Sequence, residues 1–455
     1  MTGVLQAACQ VGIRNGRTPP TVAEFAVSVR VAKLIDYQSP IKPMVSKWKI
    51  DMKNSLSILG GVIKQISVMN KRMASKGMEA ESSRQTQPKN IPATEPGEVI
   101  FDEAAPADPV EVRALLAKLD GNYKDAFILL ESLLSSDDPA VKARAQYGLA
   151  VMYQHGHYAK VDLERAFGLY EKSAKAGYKL AQTALGECYV RGFGAPVDHK
   201  QGVDWYLKAV KKGDPGAMMG MGTLYLSGEM YEDAAQWYKL AADRGEKEAC
   251  YDFAHIYLTG RISPPDLDTA REYLKLGAEL DDVKCAMALG TIYQTGHGVD
   301  IDLYEAAKYY GMAAKLGDLE GAFELGLICK SGEIEKDLEL SAKLITLAAE
   351  GGYANAQVEI GVMLLEGKEV LQDYEMALYW LTTAAKRRDP WAFHYLGVMA
   401  ESGKGGEVDF VEAHKWYNLA ASHGNSHSQE RRDVLTAKMR SEDVAAAQGR
   451  ARAWV

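Results

Sequence analysis

Residues 181–213 read AQTALGECYVRGFGAPVDHKQGVDWYLKAVKKG, and most of the chain varies this one stretch. With Ala181 as anchor, equivalent positions fall at Ala145, Ala217, Ala249, Cys285, Gly321, Ala356 and Ala392. The steps are 35 or 36 residues, except the 32 between Ala217 and Ala249. A fixed period of this size is the signature of stacked supersecondary units. Four residues after each anchor stands Leu149, Leu185, Met221, Phe253, Leu289, Leu325, Ile360 or Leu396, and the next residue is Gly or Ala in all eight copies. An aromatic follows at offset 8 in five copies, Tyr153, Tyr189, Tyr225, Tyr257 and Tyr293. Offsets 0, 4, 5 and 8 share one face of a 3.6-residue helix, and the small residue predicts close approach of a second helix.

At offset 11 every copy has glycine, from Gly156 to Gly403, where a left-handed residue is expected to end that helix. Asp162, Asp198, Asp266, Asp302, Asp337, Asp373 and Asp409 then precede a second apolar pattern and are expected to cap it; the short third copy has Met230 there. The second pattern carries small residues such as Ala234 and Ala413, then Trp237-Tyr238 or Trp416-Tyr417, an Ala pair, and a closing glycine. Asp281 and Arg388 replace that glycine in two copies, and Asp214-Pro215 and Asp389-Pro390 read as an N-cap followed by a first-turn proline. Each unit is therefore two helices.

This pattern resembles the Sel1-like repeat family, relatives of the tetratricopeptide repeats. The likeness rests on Ala-x-x-x-Leu-Gly-x-x-Tyr, the loop glycine, and Ala-x-x-Trp-Tyr-x-x-Ala-Ala-x-x-Gly, eight times over between Ala145 and Gly424. It implies an all-α fold, a right-handed α–α superhelix of about eight helix pairs that binds other proteins. A closing pair ending in Ala453-Trp454 resembles bacterial members.

The flanks differ from the array. Residues 1–77 form an N-terminal extension, and 41–76 hold seven lysines and one arginine against a single Asp51. There Val45, Trp48, Met52, Leu59, Val62, Ile66, Met69 and Met73 recur at helical spacing, interrupted by Gly60-Gly61. This basic amphipathic segment fits a protein surface, including the chain's own acidic array, or peripheral contact with an anionic membrane; its apolar core is too short to span one. The lack of acidic residues before Glu24 admits a transit peptide, but there is no secretory signal pattern. Residues 78–108 read as a Pro/Glu-rich linker, 109–144 as N-terminal capping helices, 145–427 as the repeats and 428–455 as C-terminal capping helices.

The net charge of −8 includes the basic extension, so the array is more acidic than the total, which argues against general nucleic-acid binding. Cys9, Cys188, Cys250, Cys285 and Cys329 form no close pair and read as small buried hydrophobes in a reducing, cytoplasmic protein. Gly403-Lys404-Gly405-Gly406 lacks the upstream glycine and the following Ser or Thr of a phosphate loop. His414, His423 and His427 read as loop and helix-end residues, so no metal and no cofactor is expected. Scaffold and enzyme-like effector are the two classes that stay open, with no motif supporting a hydrolase, and a regulator lies between them. The scaffold is non-enzymatic; the regulator is one whose basic segment acts while the repeats target it. By analogy with tetratricopeptide repeats, offsets 2, 6, 9 and 10 line a concave face. The candidate protein-binding residues are Arg191, Met219, Tyr251, His255, Met287, Phe323, Leu327, Lys330 and Glu366. Neither the partner's identity nor an oligomeric state can be read from the residues.

Overall fold

A computed structural model describes Ala114, Ala117, Lys118 and residues 121–334 and 336–454. The basic segment 41–76, the linker 78–108, most of the first capping helix and Cys9 lie outside the described residues. Among the described residues there are helices and turns and no strand. The first is α1 (Tyr123–Leu133). The first helices of the eight repeats are α2 (Pro139–His155), α4 (Lys179–Arg191), α6 (Pro215–Ser227), α8 (Lys247–Leu258), α10 (Val283–Thr295), α12 (Leu319–Ser331), α14 (Ala354–Glu366) and α16 (Pro390–Ser402). Their second helices are α3 (Leu163–Lys175), α5 (His199–Val210), α7 (Tyr231–Ala242), α9 (Leu267–Glu279), α11 (Leu303–Lys315), α13 (Leu338–Glu350), α15 (Tyr374–Ala385) and α17 (Phe410–Ser422). The chain ends in α18 (Ser426–Thr436) and α19 (Ser441–Trp454). The array divides inside α10 into two units, the first ending at Cys285 and the second running from Ala286.

Helix ends follow the local chemistry expected of them. All seven loop aspartates accept a hydrogen bond from a backbone N–H in the first turn of the second helix, at 2.9–3.1 Å. Met230 supplies none to α7. Asp214, Asp318 and Asp389 cap first helices in the same way. Seven of the eight offset-11 glycines have φ between 66° and 76°. The exception corrects the expectation for the third repeat. Gly228 has φ −89°, and Glu229 takes the left-handed turn at 59° instead. The trimmed loop moves the reversal one residue along. The closing position keeps its positive φ where glycine is absent, at 59° in Asp281 and 62° in Arg388.

Packing within a repeat centres on a tyrosine of the second helix. In the first unit Tyr206 lies on Gly186 and Tyr238 on Gly222, so close that a Cβ on either glycine would sit 2.7–2.8 Å from the ring. In the second unit Tyr310 meets Gly290 and Tyr417 meets Gly397, at 2.5 and 2.6 Å from the same imaginary atom. The rings are buried. Three second-helix tyrosines find a hydroxyl partner near the end of the first helix: Tyr170 Oη donates to Gln154 and Tyr310 Oη to Gln294, both at 2.6 Å, and Tyr417 Oη donates to Glu401 at 2.7 Å. At the C-terminus Leu435, Ala447 and Ala451 are buried, and Trp454 meets Trp416 edge-on at 4.8 Å.

Two substitutions test the backbone reading. Gly296→Val places a β-branched residue at φ 74°, where its Cβ would also meet Ile301 at 2.9 Å; thermal melts of the full chain should show a loss of about 1–3 kcal/mol. Arg388→Gly relieves a left-handed arginine and should gain about 1 kcal/mol.

Candidate functional site

The sequence-predicted residues are distributed over both units. In the first, Met219 and Tyr251 are half-buried, and Arg191 and His255 are exposed. Tyr251 stacks on His255 with ring centroids 5.7 Å apart, and Lys284 Nζ lies 5.7 Å from the Tyr251 ring. Arg191 pairs with Glu187 one helical turn earlier, at 3.1 Å.

In the second unit Phe323 is only 7% exposed and its ring lies 5.3 Å from that of Tyr353, the residue before α14. Phe323 therefore presents little surface to a ligand. Met287 and Leu327 are half-buried against the core, and a Cβ on Gly321 would lie 3.1 Å from Met287 Sδ. Lys330 binds Glu359 at 2.6 Å and Glu369 at 3.5 Å. Burial alone would lower the pKa of this ammonium, but the hydrogen bond and charge of Glu359, joined by Glu369, raise it. Glu366 is exposed and pairs with Lys368 at 2.9 Å.

These contacts revise the meaning of offset 2. Its side chains reach the start of the next first helix. Tyr147 packs edge-on against Tyr178, Thr183 Oγ1 donates to the capping carboxylate of Asp214 at 2.7 Å, and His394 Nδ1 meets Ser428 Oγ at 2.7 Å. The row joins one repeat to the next within each unit.

An aromatic cluster in the second unit lies outside the predicted set. Trp391 is 45% exposed, with ring centroids 5.8 Å from His427, 5.7 Å from His394 and 6.4 Å from Tyr395. Tyr395 ties this cluster to the Lys330 carboxylates: burial raises its hydroxyl pKa, Glu366 and Glu359 add to the rise, and Lys330 opposes it. A signal was present in the sequence. The position before the anchor is Arg144, Leu180, Gly216, Glu248, Lys284, Glu320, Asn355 and then Trp391, so the aromatic breaks its column.

The remaining singled-out groups have local partners. His414 Nε2 meets Thr436 Oγ1 at 2.9 Å, and His423 Nδ1 meets the Leu419 carbonyl oxygen at 2.9 Å. Cys188, Cys250, Cys285 and Cys329 are free and buried. Burial pushes the thiols up, Cys188 and Cys329 to about 12 and Cys250 to about 11. Gly403 to Gly406 form a loop that follows a helix, with Gly403 and Gly405 left-handed. Among the described residues no group of three or more His, Cys, Asp or Glu is placed to hold a metal, and no helix is long and apolar enough to cross a membrane.

The Sel1 repeat profile matches residues 143–178, 179–214, 215–246, 247–282, 283–318, 319–353, 354–389 and 394–425, more than half of the chain. The chain belongs to the Sel1 repeat family. Sel1 repeat proteins are typically scaffolds for protein–protein interaction and are generally non-enzymatic. Among solved structures, a protective antigen of uropathogenic Escherichia coli with this repeat fold is 23% identical, over 76% of this chain and 83% of that one, with a TM-score of 0.41. A Sel1 repeat protein from Oxalobacter formigenes is 28% identical, over 53% of this chain and 97% of its own, also at 0.41. An immunity protein of Pseudomonas aeruginosa is 17% identical, over 55% and 86%, at 0.30. A comparison with curated proteins finds no match.

The first unit also carries a pair of carboxyls at the start of α8, Glu246 and Glu248. Burial raises the Glu246 carboxyl to about 7, helped by its hydrogen bond with Glu248 and by the charges of Glu248 and Asp214. Burial works against Glu248, but the hydrogen bond from Glu246 and its own backbone N–H hold it low. A carboxyl whose folded pKa is raised stabilises the fold below its unfolded pKa of about 4.3 and loses that contribution as pH rises through the folded value. Glu246→Gln should therefore gain on the native chain, in melts of the full chain, as pH climbs from about 4.5 through 7. A melting difference that does not change with pH would refute the shared proton.

Proposed function

We propose that this Sel1 repeat protein is a non-enzymatic adaptor that holds a partner protein or peptide on the first-helix faces of its repeats. One observation carries the reading. The residues that recur from repeat to repeat are engaged internally: tyrosines on glycines and aspartates on helix starts. The side chains that differ between repeats, such as Arg191, His255, Glu366 and Trp391, stand at the surface. A partner selected by such a face would read the differing residues, with aromatic groups as anchors for an extended peptide or a helix.

Affinity purification of the full chain from its own cells, with quantitative mass spectrometry, tests this. Tyr251→Ala with His255→Ala, and separately Trp391→Ala, are set against Leu240→Ala, an exposed site on second helix α7. At least one first-helix variant should lose a partner about tenfold, as expected for a hot spot, with an unchanged melting curve, while Leu240→Ala keeps it. Equal recovery in all three variants would move the binding site off these faces.

A further inference from the structure

Charge is unevenly placed along the array, and the first helices show it most. In the second unit α12, α14 and α16 carry five carboxylates, Glu320, Glu324, Glu359, Glu366 and Glu401, against the single ammonium of Lys330; Glu369 joins them, and with Lys368 on Glu366 and Arg431 on Glu401 the face stays net negative. The second helices of that unit, α11, α13, α15 and α17, are close to balance, with five acidic and four basic residues. In the first unit the sign reverses: α2, α4, α6 and α8 carry five basic and three acidic residues. The negative face of the second unit also holds the exposed Trp391 with Tyr395 beside it. Carboxylates around exposed aromatic rings suit a ligand with alternating cationic and apolar groups, because lysine and arginine bind both the charge and the ring faces.

The chain carries a ligand of that chemistry. Residues 41–76 hold seven lysines and one arginine against one aspartate, interleaved with Trp48, Met52, Leu59 and Ile66. We propose that the first-helix face of the second unit, around Trp391 and Glu366, binds the chain's own segment 41–76. The segment then occupies the face and competes with any external partner there. The 32 residues from 77 to 108 can extend over roughly 110 Å, and a tether raises the local concentration of its segment toward the order of millimolar. The charge reversal selects the second unit, since the same segment is repelled by the first helices of the first. This proposal rests on the first-helix face being a binding surface, but its test needs no external partner, so the two can fail separately.

Carbodiimide crosslinking of the purified full chain, mixed equally from unlabelled and 15N-labelled preparations, followed by mass spectrometry, decides it. The expected crosslinks join Lys47, Lys49 or Lys53 to Glu320, Glu359 or Glu366 within one isotopic species, and fall about tenfold at about 0.5 M salt. They should fall similarly in the full chain bearing Trp391→Ala with Glu366→Lys, whose melting curve should stay near that of the parent. Tryptic cleavage at Lys47–Lys53 should be several-fold faster in that variant than in the parent. Crosslinks mainly to carboxylates of α2 to α8 would overturn the proposal, as would mainly mixed-isotope pairs, which assign the segment to a second copy. No crosslinks above those of a chain with the segment's lysines changed to glutamine, or equal cleavage rates, would overturn it as well.

Discussion

Four of the eight repeats depend on a tyrosine ring packed against a first-helix glycine where no side chain intervenes. Tyr206 on Gly186, Tyr238 on Gly222, Tyr310 on Gly290 and Tyr417 on Gly397 leave no room for even a methyl group. The close approach removes a large ring from water, worth roughly 1.5–3 kcal/mol per ring. It also explains the polar residue further along the first helix. A buried phenol needs a hydrogen-bond partner, and Gln154, Gln294 and Glu401 provide it. Where the ring is absent, as at Gly326 and Gly361, an aliphatic side chain from Ile345 or Leu381 fills the same notch.

Once that contact is made, the other recurring residues have little freedom to serve a ligand. The aspartates are bound to helix starts. The offset-2 side chains bridge to the next first helix, so that Phe323 packs on Tyr353 and Thr183 binds Asp214. On the proposed adaptor reading, partner selection falls to what departs from the repeat. Those departures are chemically distinct in the two units: a Tyr251–His255 stack and the Glu246–Glu248 pair in one, and an aromatic cluster flanked by carboxylates in the other. A repeat scaffold can vary such groups without touching the ring–glycine contacts, because they occupy other positions of the same helices.

Most of the architecture was legible from residue spacing. Helix ends are set by local demands, a left-handed glycine or an aspartate whose carboxylate reaches a nearby N–H, and these are properties of a few adjacent residues. The exceptions are local too. In the short third repeat the reversal moves from Gly228 to Glu229. Asp281 and Arg388 keep a backbone angle that glycine serves better, because the surrounding helices fix the path of the turn.

The candidate face was read less well, for a reason that lies beyond any single helix. Offset alone assigned Phe323 and Trp391's neighbours to a side of the helix, but not to surface or interior. Whether a side chain there is covered depends on what the next repeat places opposite it, some thirty residues later. Tyr353 covers Phe323, while Trp391 keeps nearly half of its surface open. The sequence by itself determined eight helix pairs, their ends and their shared apolar face, since each follows from local backbone and periodic burial. Only the tertiary structure decided which side chains of the first helices remain free to meet a partner, since that depends on packing between repeats.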